Sequence, residues 1–198
     1  MLLDLLFTPR CIGCRQLGIH LCNACRSTIH PRTFELNSPR LQVISAGTYQ
    51  GWLRDSIVSY KSGARSEVYG LAQLATLTLP ARSRIVSVPT SMSKIHERGY
   101  DTIGLLARQI ARRRPDVEFL PLLRVTRSVR DQVGLSASER HANLAGAFGC
   151  IQPVTGDFVV LDDVVTTGST AQECARALRH AGAKKVSAFS VCASSNRR

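Results

Sequence analysis

The chain has 198 residues, 44% of them hydrophobic and 20% charged, which fits a globular protein and excludes an intrinsically disordered one. Its 26 lysines and arginines against 14 acidic residues give a net charge of +12. That surplus predicts attraction to polyanions, either phosphorylated substrates or nucleic acid, although an arginine-rich solubilising surface has the same composition.

Residues 1–7 are apolar except for Asp4 and contain no lysine or arginine. A signal peptide begins with a basic segment, so these residues predict an amphipathic turn that packs on the body of the protein instead. No apolar run reaches the roughly 18 residues that cross a bilayer. We therefore expect a cytoplasmic protein without membrane insertion.

Four of the seven cysteines form two Cys-x2-Cys pairs near the start of the chain, at Cys11, Cys14, Cys22 and Cys25. In a cytosolic protein this spacing favours a tetrahedral Zn²⁺ site over disulfides. A redox pair, an iron–sulfur site and accidental spacing are the alternatives. Because a module of about 30 residues has little core of its own, zinc would stabilise its fold and take no part in catalysis.

Pro31 and Pro39 bracket a segment that we interpret as a linker over residues 31–40. The linker divides the chain into a zinc-binding module at residues 1–30 and an α/β domain at residues 41–198. A chain of this length has room for one such domain and a small module.

Beyond residue 40, apolar spacing predicts strands that alternate with helices. The predicted strands are 41–49, 85–88, 117–123, 158–161 and 186–193, and the predicted helices are 52–60, 66–79, one capped by Asp101, and 170–181. This alternation predicts a parallel sheet with ligands at the carboxyl ends of its strands, so that Pro89, Arg124 and Asp162 share one edge. Residues 126–145 are polar, basic and weakly periodic.

The most informative segment is the end of the strand at 158–161, where Asp162 and Asp163 precede a short Thr/Gly/Ser turn and a helix. The free N–H groups and positive dipole end of a helix N-terminus hold a phosphate. Two carboxylates beside it would repel that anion unless the ligand also carries a polyol such as ribose. The alternative is a strand–turn–helix connection with an acidic cap.

This segment resembles the phosphoribosyl-pyrophosphate loop of type I phosphoribosyltransferases, in which four apolar residues precede two acids and a Thr-Thr-Gly turn. The resemblance implies that Asp162 and Asp163 are the catalytic residues and hold the ribose 2′- and 3′-hydroxyls. It further implies that Mg²⁺ bridges the ribose hydroxyls and the diphosphate. The residues that would bind phosphoribosyl pyrophosphate beside the acids are Val164, Thr166, Thr167, Gly168, Ser169 and Thr170.

Other stretches carry groups suited to the diphosphate. They are Pro89, Thr90 and Ser91 after the strand at 85–88, together with Lys61 and Arg98. The basic stretch 126–143 is a candidate for a mobile loop that closes over the site. These roles rest on charge type and chain order.

Together with the cysteines, these stretches resemble the ComF family, which joins a four-cysteine zinc module to a type I phosphoribosyltransferase domain. The matching segments are Tyr60-Lys61-Ser62-Gly63, Val88-Pro89-Thr90-Ser91, Arg98-Gly99-Tyr100-Asp101-Thr102, and Arg124, Gln132, Leu135, Glu139, Arg140, Asn143, Ala147 and Phe148. The chain departs from the family pattern at Asp101-Thr102, where Asn-Gln is common, and at Ala64, where an acid is frequent.

The family resemblance implies a role in DNA uptake and transformation. The protein would bind phosphoribosyl pyrophosphate, single-stranded DNA and DNA-uptake proteins without a known transfer reaction. An active phosphoribosyltransferase of nucleotide salvage or biosynthesis is the alternative function. A zinc-linked interaction protein with an inactive pocket is the third.

Overall fold

The computed structural model describes residues 8–37, 39–127 and 143–194. It confirms the predicted α/β class, because helices pack on both faces of a mostly parallel six-stranded sheet. In spatial order, its strands are β1 (Arg32–Asn37), β2 (Arg40–Thr48), β8 (Lys185–Ala193), β7 (Asp157–Val165), β3 (Arg84–Ser87) and β4 (Glu118–Phe119). The helices are α1 (Asn23–Ser27), α2 (Gly51–Lys61), α3 (Glu67–Thr76), α4 (Met92–Arg98), α5 (Thr102–Arg113) and α6 (Ser169–His180).

Strands β7 and β8 form the centre of the sheet and pair in parallel from Asp157 opposite Lys185 to Val165 opposite Ala193. A central parallel strand is covered on both faces and is therefore apolar on both. Leu161 and Phe189 accordingly pack with α2, α3 and α5 on one face. Phe158 and Val160 pack with α6 on the other face.

The predicted helices form close to their expected bounds. Asp101 caps α5 as predicted, and its Oδ1 accepts a hydrogen bond from the Gly104 N–H at 3.1 Å. Strand β7 is longer than the predicted strand at 158–161 and includes the acid pair. Helix α4 and strand β6 (Phe148–Cys150) were not predicted, because they are too short to show a periodic pattern.

The segment 31–40, predicted as a linker, instead contains strand β1, which pairs antiparallel with β2 from Arg32 opposite Ser45 to Asn37 opposite Arg40. Leu36 of β1 is buried against the face that α6 covers. Pro31 and Pro39 lie just outside the strand, where a proline removes no ladder hydrogen bond. The prolines therefore bound an edge strand rather than a linker.

The prediction of a single strand over residues 117–123 is also wrong. Pro121 lacks an N–H and interrupts it, leaving the two-residue β4 in the main sheet and β5 (Leu123–Val125) in a separate antiparallel pair with β6. Arg124 therefore lies exposed in this small sheet, away from the strand edge that Pro89 and Asp162 share.

The cysteine module packs directly onto the α/β body. The Ser56 hydroxyl of α2 donates to the Ile12 carbonyl at 2.7 Å, and Arg15 forms an ion pair with the buried Glu67 of α3. Gly70 of α3 permits a close approach of the module, because a Cβ there would stand 2.6 Å from the His20 carbonyl oxygen. The module and the domain thus share one hydrophobic core.

In the part of the chain that the structure describes, the helices are all too short or too polar to traverse a bilayer.

Candidate functional site

The two acids of β7 have different surroundings. Successive strand residues point to opposite faces of a sheet. Asp163 points towards α2, where its Oδ1 accepts a hydrogen bond from Lys61 Nζ at 2.8 Å and its side chain is only 6% exposed. Asp162 is half-buried, accepts the Asp163 backbone N–H at 2.8 Å, and acts electrostatically on Cys174 of α6. One acid is therefore neutralised within the protein, while the other is not.

The pKa of Asp162 is raised to about 7, first by burial and then by the neighbouring Asp163 carboxylate, against the opposing charges of Lys61 and Lys94. Burial alone would lower the pKa of Lys61, but the Asp163 carboxylate outweighs it and raises that pKa above its ordinary value. Lys61 therefore stays protonated and positively charged, while Asp162 titrates near neutral pH.

The turn after the acids leads straight into α6. Gly168 has a φ of +79°, and a Cβ there would collide with the Leu36 side chain, so any other residue would be strained. The Thr167 and Ser169 hydroxyls lie 3.0 Å apart, and the Ser169 N–H donates to Thr167 Oγ1 at 3.4 Å. Gly168 offers α6 no side-chain cap, and the first turn holds no acidic residue, which are the conditions for anion binding at a helix N-terminus.

The other residues assigned to the turn also lie at this end of β7. Val164 and Thr170 are half-buried, Thr166 is exposed, and Ser169 is buried. The predicted strand–turn–helix arrangement is present. Whether these residues contact a phosphate stays a prediction.

The stretch after β3 lies beside the acid pair, because the Val88 N–H donates to the Leu161 carbonyl of β7 at 2.9 Å. Pro89 follows immediately and is half-buried. The Thr90 hydroxyl donates to Asp101 Oδ1 at 2.8 Å, and Ser91 caps α4. Both hydroxyls thus have partners within the protein.

The segments at 60–65 and 98–102, which are far apart in sequence, are bound together. The Tyr60 hydroxyl donates to the Thr102 carbonyl at 2.8 Å, and the Tyr100 hydroxyl donates to the Tyr60 carbonyl. Arg65 donates to the Gly99 carbonyl at 2.7 Å, and its guanidinium lies 4.6 Å from the centre of the Tyr100 ring. These contacts hold Arg98 near Lys61. The positive charge of Arg98 opposes part of the rise in the pKa of Lys61.

The structure places Lys61 within electrostatic range of Asp162, Asp163 and Arg98. Their role as ligand-binding residues stays a prediction. Arg124 is not part of this group, because its strand leaves the main sheet. The ion pair between Lys61 and Asp163 was missed, since no local pattern joins residues 102 positions apart. Four of the ComF-like positions and most of the candidate loop at 126–143 lie outside the described residues; the four positions are Gln132, Leu135, Glu139 and Arg140.

The four cysteines of the module form a second site, with Sγ atoms that all lie within 4.8 Å of one another. The Cys14 and Cys22 sulfurs are 3.7 Å apart, close to the edge of about 3.8 Å in a tetrahedron with zinc–sulfur bonds of about 2.3 Å. Backbone N–H groups point at two of the sulfurs, from Cys22 to Cys11 and from Cys25 to Cys22, each at 3.4 Å. The cluster is thus close enough to hold a metal ion and is compatible with structural zinc.

The free thiols of this cluster have unequal acidities. Burial would raise the pKa of Cys11, but backbone N–H groups of Cys22, Cys14 and Gly13 lower it to about 6. Burial and hydrogen bonds to the other thiols raise the pKa of Cys25 to about 12. The cluster favours a negative charge on Cys11 first, which is the form that a metal binds.

The fold and the sites define an α/β protein with a mostly parallel sheet, an acid pair on its central strand and an N-terminal four-cysteine cluster. No family model matches the chain. The chain is 32% identical to a DNA utilization protein, YhgH, of Salmonella typhi, over 92% of this chain and 88% of the relative. It is 33% identical to the Escherichia coli K12 protein of the same name, over 81% of this chain and 76% of the relative.

A third relative is competence protein F of Haemophilus influenzae, which is 30% identical over 54% of this chain and 48% of its own length. The identity to the two DNA utilization proteins covers most of both partners. The chain therefore belongs to the ComF family, as the motif resemblance indicates.

Proposed function

We propose that this protein binds phosphoribosyl pyrophosphate with Mg²⁺ at the acid pair and the following turn, and that it acts in DNA uptake or utilisation. The proposal rests chiefly on one observation: Asp162 stands without a cationic hydrogen-bond partner among the described residues, a few positions before the N-terminus of α6, whose N-cap residue Gly168 offers no side-chain cap. A carboxylate beside a helix N-terminus suits a ligand that carries a diol next to a phosphate.

Each group has a distinct role in this proposal. Asp162, when ionised, accepts hydrogen bonds from the ribose hydroxyls, while Asp163 positions Lys61 through their ion pair. The N–H groups of the first turn of α6 and the Thr167 hydroxyl bind the 5′-phosphate. Lys61 and Arg98 attract the diphosphate. Mg²⁺, when bound with the ligand, would neutralise part of the diphosphate charge.

A role in DNA uptake or utilisation is supported by the names of the relatives, DNA utilization protein and competence protein F. The net charge of +12 supports attraction to a nucleic-acid backbone. We therefore include single-stranded DNA as a ligand of the protein and structural zinc as the occupant of the cysteine cluster.

Calorimetric titration with phosphoribosyl pyrophosphate and Mg²⁺ tests the sugar site in the wild type, Asp162→Asn and Asp157→Asn. Asp157 is the matched control, because it is an exposed aspartate at the other end of β7. We expect the wild type and Asp157→Asn to bind alike and Asp162→Asn to bind at least about tenfold more weakly, since charge-assisted hydrogen bonds contribute about 1.5–3 kcal/mol. Equal affinities in all three proteins would show that the sugar is not bound at this strand.

Binding of single-stranded DNA is tested by anisotropy of a labelled oligonucleotide at increasing salt. We expect affinity to fall steeply with salt, because each neutralised phosphate releases a counterion. Absence of binding at low salt would contradict this part of the proposal and leave the sugar site unaffected.

A second candidate function is transfer of the phosphoribosyl group to an acceptor. It is favoured by the pKa of Asp162 near 7, since a group that exchanges its proton near neutral pH is suited to acid–base chemistry. Pyrophosphate release upon addition of purine and pyrimidine bases would support transfer. If no base causes pyrophosphate release although phosphoribosyl pyrophosphate binds, the protein binds this ligand without transferring its phosphoribosyl group.

A further inference from the structure

The cysteine module and helices α3 and α5 expose positive charges and no negative one. Residues 8–30 of the module contain three arginines and no acidic residue, and α5 likewise contains three arginines and no acidic residue. The single acid of α3 is Glu67, which is buried and forms an ion pair with Arg15. The charge of these three elements therefore favours a polyanionic partner.

An exposed aromatic side chain lies where the three elements meet. Tyr69 of α3 is 39% exposed, and the centre of its ring lies 4.9 Å from that of His20 in the module, with 32° between the ring planes. The guanidinium of Arg113, an exposed residue of α5, lies 5.6 Å from the centre of the same tyrosine ring. Three planar side chains from three elements thus lie together at the surface.

Two apolar side chains of the module are exposed beside these planar groups. Leu17 is 56% exposed, and Ile19, which precedes His20 in the chain, is 36% exposed. An isolated β-bridge pairs Leu17 with the exposed Arg10, so a further positive charge lies next to them. We call the surface formed by Leu17, Ile19, His20, Tyr69 and Arg113 the module surface.

Planar side chains beside arginines are typical of surfaces that bind single-stranded nucleic acid. Bases of any sequence stack on aromatic rings, and arginine adds cation–π contacts. A guanidinium that lies against a ring keeps N–H donors at its edge, and these donors suit phosphate oxygens. Exposed apolar side chains contact the methyl group of thymine. Because the bases of a duplex already stack on one another, a single strand makes better use of these groups.

The module surface is distant from the proposed sugar site. Asp101, which caps the first turn of α5, accepts a hydrogen bond from Thr90 in the stretch after β3. Arg113 is the last of the 12 residues of α5, and a rise of 1.5 Å per residue separates the two ends of the helix by about 17 Å. The two sites are therefore separate, and both can be occupied at once.

We propose that the module surface binds single-stranded DNA, with bases stacked against His20 and Tyr69 and phosphates bound by Arg113 and Arg10. The inference rests on the proposed function, which includes single-stranded DNA as a ligand but assigns no surface to it. The module surface supplies that site and gives the cysteine module a part in ligand binding beyond its own stability.

Anisotropy of labelled strands tests the stacking contact, with an oligothymidine and an abasic strand of equal length as probes. We expect Tyr69→Leu to bind the oligothymidine at least about fivefold more weakly than the wild type does, because a stacked base loses its ring. The affinity for the abasic strand should hardly change. Tyr69→Phe is the matched control, since it keeps the ring and should bind both strands as the wild type does.

The phosphate contact is tested by the salt dependence of the same binding. Arg113→Gln should weaken the binding of both strands and reduce the slope of log affinity against log salt by about 0.7, the value for one phosphate contact of a single strand. Arg179→Gln is the matched control, because Arg179 lies in the last turn of α6, another 12-residue helix, which covers the opposite face of the sheet. We expect this variant to keep the wild-type slope.

The outcomes separate this proposal from the proposed function. If the wild type binds the oligothymidine and Tyr69→Leu binds it equally well, the module surface is rejected and DNA remains a ligand bound elsewhere. Equal weakening with the abasic strand would reject stacking on Tyr69. If the wild type binds neither strand at low salt, the DNA part of the proposed function fails together with this inference. A thermal melt shows whether each variant is folded, and if Tyr69→Leu is not, equal slopes for Arg113→Gln and Arg179→Gln would overturn the proposal.

Discussion

Asp162 and Asp163 are adjacent residues with different electrostatic surroundings. Asp163 is buried as an ion pair with Lys61, whereas Asp162 is half-buried and has only a backbone N–H as its hydrogen-bond donor in the described structure. Because β-strand geometry sends the two side chains to opposite faces, only Asp163 can reach α2. In the proposed function, the ligand-facing role therefore falls to Asp162.

The stability of the protein should depend on the charge of Asp162. Its folded pKa of about 7 exceeds the unfolded value of about 3.9, so the folded state loses stability as pH rises between these values. Asp162→Asn removes that loss. We expect it to raise the melting temperature at pH 8 by a few degrees, on the order of 1 kcal/mol, with little effect at pH 4.

Thermal melts at both pH values measure this effect, and Asp157→Asn serves again as the exposed control. A melting temperature that changes equally at the two pH values would mean that Asp162 titrates normally.

Removal of the Lys61 charge should expose the cost of burying Asp163. Lys61→Met leaves that carboxylate without its cation, and we expect a loss of about 2–3 kcal/mol, below the range of fully buried pairs because Lys61 is 31% exposed. The double variant Lys61→Met/Asp163→Asn should recover part of that loss. Denaturant unfolding of the single and double variants measures the coupling, and strict additivity would show that the pair does not interact.

At the scale of elements, the turn between β7 and α6 depends on a single glycine and on strand β1. Gly168 adopts a left-handed conformation and lies directly against the side chain of Leu36, a residue of strand β1. Edge strand β1 thus shapes the proposed phosphate site, although it contributes no polar group to it.

Gly168→Ala should therefore disturb both stability and binding. We expect a loss of about 1–3 kcal/mol from the unfavourable φ and the contact with Leu36, and weaker binding of phosphoribosyl pyrophosphate in the same calorimetric titration. Gly146→Ala is the control, since Gly146 also has a positive φ but has open space around its Cβ position. Strain alone would affect the stability of both variants equally, whereas only Gly168→Ala should lose ligand.

Helices α2, α5 and α6 were predictable because each carries an apolar stripe over several turns and a clear boundary residue. Strand β1 could not be predicted, because two prolines that bracket a short segment are also typical of a linker. Only its pairing with β2 shows that the segment is a strand. The position of β5 outside the main sheet could not be predicted either, because the apolar residues on both sides of Pro121 have the pattern of one continuous strand.

At the scale of the whole molecule, α2 connects the two sites. Near its start it packs against the cysteine module through Trp52 and Ser56, and at its end it presents Lys61 to Asp163. The integrity of the cysteine cluster should therefore affect the acid pair as well as the module.

Loss of the metal should destabilise the whole protein. We expect Cys14→Ser to lose bound zinc, to lower the melting temperature by roughly 6–12 °C for about 3 kcal/mol, and to weaken phosphoribosyl pyrophosphate binding through α2. Cys150→Ser, outside the cluster, should do none of these. A zinc content of zero in the wild type, measured by metal analysis, would contradict the assignment of the cluster.

The sequence by itself determined the α/β alternation, the cysteine spacing and the succession of acid pair, small-residue turn and helix, because these are local patterns of period and spacing. The tertiary structure alone decided that Lys61 pairs with Asp163, that Leu36 packs on Gly168, and that module residues and the end of β2 line an open, neutral cavity beside Trp52. Each of these contacts joins segments distant in the chain, and their register is set by how the layers pack on the sheet.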